Sequence, residues 1–328
     1  MPVLNATPLA VLDAPLLDRV GREVVLVVLK ATFDVIRGGR VVLADEQVPV
    51  RTKDVLHDES NPRSSARYPS DVCVEKVGTD VVVVGDAVAR QPSMFVDVAI
   101  RARDTTIPIR VNGQREYFRG ILQVAVSAPV PFESMPIAYE RAYGGTLDDL
   151  SDVEFRNPAG VGFARSAADL VGKPAPQIEH PGLPHRTAKD AHPPVGCGAL
   201  LPHWSPRRER AGTFDDVWKA TRMPLMPLDF DVRHNSVASP GLSLETPLAA
   251  GDVISILGMT HELVQFAVPS LPLVVRARYD QQTEVVSPAI DMVLVEPALG
   301  RFELTLRRAF SIGRGKNVLR ELRVDVDE

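Results

Sequence analysis

Valine fills 46 of the 328 positions and proline 28, and this pairing limits the fold more than any other feature of the chain. A β-branched side chain loses rotamer freedom in a helix and packs well on a pleated surface. Proline removes a backbone donor and breaks long helices, so frequent prolines favour short elements. A mainly β protein follows.

The candidate strands support this. Glu23–Ile36 is an apolar run turning to alternation, and Arg37-Gly38-Gly39-Arg40 supplies a turn into Val41–Leu43. Ile107–Val111 leads into Asn112-Gly113, a strong hairpin signal, with Gln114–Phe118 expected to return beside it. Val72–Val77, Val81–Val88, Phe95–Ala102 and Ile121–Val126 complete the first half. In the last quarter, Val253–Leu257, Glu262–Val268, Leu273–Tyr279, Thr283–Val286, Ile290–Val295 and Arg301–Leu306 lie between Gly or Pro breaks. Short antiparallel strands at such intervals suggest sandwich-like or barrel-like lobes.

The middle differs. Residues 129–240 hold 15 of the 28 prolines, and from 132 to 240 there are only 7 of the 46 valines. One helix is expected near Thr213, with Asp215 and Asp216 at its positive end and Pro224 closing it. The expected organisation is an N-terminal β lobe (1–130), a proline-rich irregular segment (131–240) packed on the lobes, and a C-terminal β lobe (241–328), together one family-level domain.

A net charge of -5 argues against a general nucleic-acid binder. The longest clean apolar run, Val24–Leu29, is far below the ~20 residues of a membrane-spanning helix. The first 21 residues carry no basic residue before Arg19 and are broken by Pro8, Asp13 and Pro15, so a secretory leader and a membrane partner are not expected. Two cysteines, Cys73 and Cys197, fit a reducing compartment.

Catalytic signals are sparse. His180, His185, His192 and His203 cluster around Cys197, but their spacings of five, seven and eleven residues match no compact zinc-ligand pair. Neither a metal nor a cofactor is expected. No G-x-S-x-G nucleophile elbow occurs. Asp229 and Asp231 alternate around Phe230, which on a strand would put both carboxylates on one face. That suits an acid–base pair or a metal. It suits better two acceptors for Arg207, Arg208, Arg210 or Arg222, because an irregular segment must hold its shape through side-chain bonds. On that reading Asp229→Ala or Asp231→Ala would cost about 2–4 kcal/mol by leaving a buried arginine unpaired.

A set of ordered motifs carries a further indication. They are Asn5-Ala6-Thr7-Pro8, Val28-Leu29-Lys30-Ala31-Thr32-Phe33, Glu46-Gln47-Val48-Pro49, Arg67-Tyr68-Pro69-Ser70-Asp71 and the Glu75–Gly85 run EKVGTDVVVVG. The centre adds Glu140–Gly145 (ERAYGG), Asn157–Gly162 (NPAGVG), Trp204–Arg208 (WSPRR), Ala211–Trp218 (AGTFDDVW) and Arg222–Asp231 (RMPLMPLDFD). Over about residues 3–310 the chain resembles the bacterial family of domain of unknown function 2169, whose members are associated with type VI secretion. Cys197 departs from the pattern, standing where a larger apolar or aromatic residue is expected after the glycine.

The resemblance implies a non-enzymatic adaptor or chaperone in the producing cytoplasm. Its partners would be a secreted effector and spike proteins of the VgrG or PAAR type. It carries no list of catalytic residues. Tyr143, Phe163 and Trp204 are candidate partner contacts, with a core-anchor role for each as the more conservative reading. Arg207, Arg208, Trp218, Arg222, Asp229 and Asp231 form the expected structural motif. A structural part of a phage-tail-like assembly, and a hydrolase or metal enzyme using Asp229 and Asp231 or the 180–203 histidines, are the alternatives.

Overall fold

A computed structural model describes residues 3–315 and 317–327. Its spine is a pair of long antiparallel strands, Glu23–Ile36 and Arg301–Ser311, in register from Arg301 opposite Asp34 to Ser311 opposite Val24. They lie inside a seven-stranded sheet ordered Ser243–Leu244, Thr79–Val83, Ile290–Glu296, Arg301–Ser311, Glu23–Ile36 and Ala10–Leu17, with Arg40–Leu43 also paired to Glu23–Ile36. A five-stranded sheet runs Ile178–Glu179, Thr105–Asn112, Phe95–Ala102, Val253–Leu257 and Val264–Ala267. Another joins Leu4–Asn5, Asn317–Val326, Leu273–Tyr279 and Thr283–Val286, with Gly313–Arg314 on Asn317–Val326. Among the described residues no sheet closes into a barrel, and α-helix is confined to Asp216–Thr221.

The period of two in the spine strands gives the large sheet two unlike faces. Phe302, Leu304 and Leu306 stand opposite Phe33, Ala31 and Leu29. Phe302 stacks between Phe33 (5.2 Å) and Phe266 of the second sheet (4.1 Å), so this face makes the apolar layer between sheets. The other face carries Lys30, Thr32, Glu303, Thr305 and Arg307, and residues 44–78 cover it with almost no strand of their own. The Gln47 amide shows how. Strand Ala10–Leu17 pairs with Glu23–Ile36 up to Lys30, and Arg40–Leu43 pairs from Phe33 onward. Gln47 fills the gap by accepting the Thr32 N–H (2.8 Å) and donating to the Thr32 carbonyl (3.1 Å).

The two ends of the chain are not separate lobes in hydrogen-bonding terms. Thr79–Val83 lies parallel to Ile290–Glu296, and Phe95–Ala102 is antiparallel to Val253–Leu257. The Asn112-Gly113 turn is also not a hairpin. Thr105–Asn112 pairs back onto Phe95–Ala102, the Gly113 N–H goes to the Met94 carbonyl (2.9 Å), and the reversal comes later, between Tyr117–Arg119 and Val124–Val126. Val72–Val77 forms no strand, because Asp71 and Cys73 are held by side chains of the sheet beneath. The core is one contiguous apolar cluster drawn from all three large sheets, with a small satellite around Tyr117, Leu170 and Ala175.

Candidate functional site

Four of the motifs meet on the polar face of the large sheet. Lys30 is wholly buried with its ammonium 2.8 Å from both Asp71 and Glu303. Asp71 also accepts the Arg51 N–H (2.7 Å) and the Thr305 hydroxyl (3.2 Å), while the Arg51 fork binds Glu303 in bidentate fashion. Burial alone would raise the Glu303 carboxyl, but the Arg51 hydrogen bond and the Lys30 and Arg51 charges outweigh it and hold it below the usual range. Arg307 continues the chain to Cys73 Sγ (3.3 Å) and Asp291 (2.9 Å), and Lys76 pairs with Asp80 (2.7 Å). These charges are engaged with one another, and they fasten residues 44–78 to the sheet.

ERAYGG and NPAGVG form a second clamp. The Asn157 amide donates to the carbonyls of Tyr139 (2.8 Å) and Tyr143 (3.1 Å). The glycines permit the approach, since a Cβ on Gly144 would lie 2.1 Å from the Asn157 carbonyl oxygen and one on Gly160 2.4 Å from the Asn157 amide nitrogen. Glu140 turns away to Ser64 and Ser65, taking both hydroxyls and the Ser65 N–H.

The expected Arg–Asp pairing within 207–231 does not form. Asp229 accepts the N–H (3.0 Å) and hydroxyl (2.7 Å) of Thr213, and Asp231 caps the turn Val232–Asn235 and pairs with Arg233. Neither carboxylate lies on a strand, so the strand alternation expected to put both on one face is absent. The upstream arginines bind other groups. Arg207 is buried and donates to the carbonyls of His234 (2.7 Å) and Leu200. Arg208 lies over the Phe155 ring at 3.5 Å, Arg210 reaches the Arg233 carbonyl (3.4 Å), and Arg222 reaches those of Met226 (3.0 Å) and Arg19. The physical reason is the shortage of ladder partners: carbonyls that lack a sheet neighbour compete for the guanidinium donors. Trp218 donates its indole N–H to the Leu225 carbonyl (2.9 Å) and meets Phe214 edge-on at 4.8 Å.

The four histidines do not form one group, although His185 and His192 meet edge-on at 5.1 Å. His185 is buried, stacked on Tyr143 (5.4 Å), with Nδ1 3.5 Å from Glu179. Glu179 also accepts from Asn112 (2.9 Å), the His185 N–H (2.8 Å) and Arg115. Burial opposes its ionisation, but the His185 hydrogen bond and the Arg115 charge prevail and bring it to about 2. His180 accepts the Gly182 N–H (3.0 Å), and His203 accepts the Trp204 indole N–H (3.0 Å). Among the described residues no three His, Cys, Asp or Glu side chains are grouped to hold a metal ion. Cys197 is completely buried, which pushes its thiol up to about 12. Trp204 and Tyr143 lie in the interior and Phe163 is half-buried, so the first two are core anchors.

The AGTFDDVW and RMPLMPLDFD motifs also supply exposed surface. The helix Asp216–Thr221 buries none of its own residues, and around it Phe214, Val217, Met223, Met226 and Leu228 stand exposed beside Leu17 and Val20. The Arg222 bond to the Arg19 carbonyl ties this segment to the turn that carries Val20. Between them runs a groove of about 370 Å³ lined by Leu17, Val74, Leu225 and Met226 together with Asp18, Arg19 and Glu75. The available signal was the weak inward face of the helix and the apolar residues spaced between Pro224 and Pro227.

No curated protein and no solved structure matches the chain. One family model matches residues 20–307, nearly the whole chain and all the clamps described above, so the protein belongs to the family described as "Uncharacterized protein conserved in bacteria (DUF2169)".

Proposed function

We propose that this protein is a non-enzymatic adaptor that binds a type VI secretion effector in the producing cytoplasm and helps load it onto the VgrG/PAAR-type spike. The observation that carries the reading is the exposed apolar surface around Asp216–Thr221 with its groove. Folded proteins seldom leave contiguous apolar surface in water unless it meets a partner. Methionines and proline-fixed turns suit such a surface, because Met adapts to varied shapes and proline limits the entropy lost on binding. The reactive side chains support binding over chemistry: Asp229, Asp231, His203 and Cys197 are each engaged in capping, hydrogen bonding or packing. The secretion system itself comes from the family resemblance.

The test is affinity purification of the tagged protein from producing cells, with mass spectrometry of what co-elutes. The expected result is an effector near one-to-one, with recovery lowered about tenfold or more by Val217→Asp with Met223→Asp. Both sites are exposed, so melting should be unchanged within about 0.5 kcal/mol. Clean protein with no effector, in cells expressing the secretion system, would overturn the reading.

A further inference from the structure

Ala10–Leu17 ends one side of the large sheet and uses only one of its own two edges. It pairs with Glu23–Ile36 in a single register, from Ala10 opposite Lys30 to Leu17 opposite Glu23, with no bulge. The bonds around it fix which way its backbone groups point. Just past its end the Asp18 N–H bonds the Arg22 carbonyl (3.0 Å), so even-numbered residues bond across this pair. Odd-numbered residues of Glu23–Ile36 face the opposite neighbour, as the Ile312 N–H on the Glu23 carbonyl shows (3.1 Å). Since strand residues alternate, Ala10, Leu12, Ala14 and Leu16 bond inward, while Val11, Asp13, Pro15 and Leu17 point their backbone groups outward. Among the described residues, the N–H groups of Val11, Asp13 and Leu17 and the carbonyls of all four have no hydrogen-bond partner.

No other edge of the three large sheets offers as long a row. Ser243–Leu244, Ile178–Glu179 and Leu4–Asn5 have two residues each, and Arg40–Leu43, Val264–Ala267 and Thr283–Val286 have four. Ala10–Leu17 has eight, with Asp13 its one charge. Three donors and four acceptors repeating every second residue, about 6.6 Å apart, are complementary to another extended backbone. The edge also leads into the groove beside the helix patch, whose lining includes Leu16 and Leu17.

A second copy of this chain fits the edge poorly. Outward groups meet only when odd residues face odd residues, which leaves two antiparallel registers about the strand centre. One places Asp13 opposite Asp13; the other sets Pro15, which has no N–H, opposite Asp13 on both chains. A strand from a different protein carries neither penalty.

We propose that the effector docks by adding an extended segment of its own chain to the sheet along Ala10–Leu17, continuing into the groove. The proposal rests on the adaptor reading and names how that partner is held, backbone to backbone. Apolar side chains suit the segment, because they would lie beside Val11, Leu12, Leu16 and Leu17.

The test compares the full chain alone with the complex purified from producing cells. Hydrogen exchange with residue-level fragmentation should show the Val11, Asp13 and Leu17 amides unprotected in the free protein and slowed about tenfold or more in the complex. Asp13→Pro removes an outward donor, as Pro15 already does two residues on, and should lower effector recovery about tenfold. Asp13→Ala keeps the N–H and should leave recovery unchanged. Free exchange at these amides in a complex that holds an effector overturns the strand proposal and leaves the adaptor reading standing. Equal recovery with folded Asp13→Pro and Asp13→Ala does the same, and if Asp13→Pro does not fold, the exchange result alone decides. Protection already present in the free protein, with the chain running as a dimer, assigns the edge to a second copy and also overturns the strand proposal. Recovery of no effector overturns both.

Discussion

Replacing Lys30 with methionine isolates the ion network that fastens residues 44–78 to the large sheet. Methionine keeps most of the aliphatic stem, so little cavity forms and the effect is electrostatic. The change leaves two buried carboxylates, Asp71 and Glu303, without the ammonium that sits 2.8 Å from each. Each keeps a second donor, since Arg51 binds Glu303 through its fork and Asp71 through its N–H. The loss should therefore fall at the lower end of that for a broken buried ion pair, about 3 kcal/mol at pH 7. The pH dependence gives a sharper signature. The Glu303 carboxyl is held below its ordinary value in the folded protein, so its contribution is present above the unfolded pKa and is lost as pH falls through the folded one. Without Lys30 that depression is smaller, and the deficit should shrink toward acid pH. Glu303→Gln in the Lys30→Met background should recover part of it. The assay is denaturant unfolding of the wild type, both single variants and the double variant at neutral and acid pH. A deficit below about 1 kcal/mol, or one that does not vary with pH, would refute the electrostatic account.

Three other outcomes follow from the same structure. Arg207→Met should lower stability by about 3 kcal/mol because it strands the carbonyls of buried Leu200 and half-buried His234, while Asp231→Asn, half-exposed beside Arg233, should shift the melt far less. Equal effects would restore the buried Arg–Asp reading. The Glu179 carboxyl, at about 2 against an ordinary 4.5, should supply stability above pH 4.5 that is lost as pH falls toward 2. Glu179→Gln should flatten that part of the acid unfolding curve, which a pH series of melts would read. Thiol titration of the native protein should label half-exposed Cys73 and leave Cys197 untouched until the chain is unfolded.

What could be read from the residues was local. Phe95–Ala102, Val253–Leu257, Leu273–Tyr279 and Thr283–Val286 have the expected bounds, because alternation over a half-buried face is a property of each segment alone. Ala10–Leu17 was hidden by Pro15, which an edge strand tolerates. The pairing of Thr79–Val83 with Ile290–Glu296 was illegible for another reason: register between strands some 210 positions apart depends on packing that no local pattern encodes. In the 207–231 block the expected arginine partners differ from the observed ones, since a backbone carbonyl can also accept from a guanidinium and has no signature in the sequence. The apolar patch was missed because exposure is a tertiary property; the same residues read equally well as buried.

The most direct measurement of the central claim is the secreted fraction of cells lacking this protein. The adaptor account predicts that one effector disappears from it while spike proteins are still released, and that the wild-type chain restores the effector but the Val217→Asp, Met223→Asp variant does not. Unchanged effector secretion, or loss of the spike along with the effector, would contradict it.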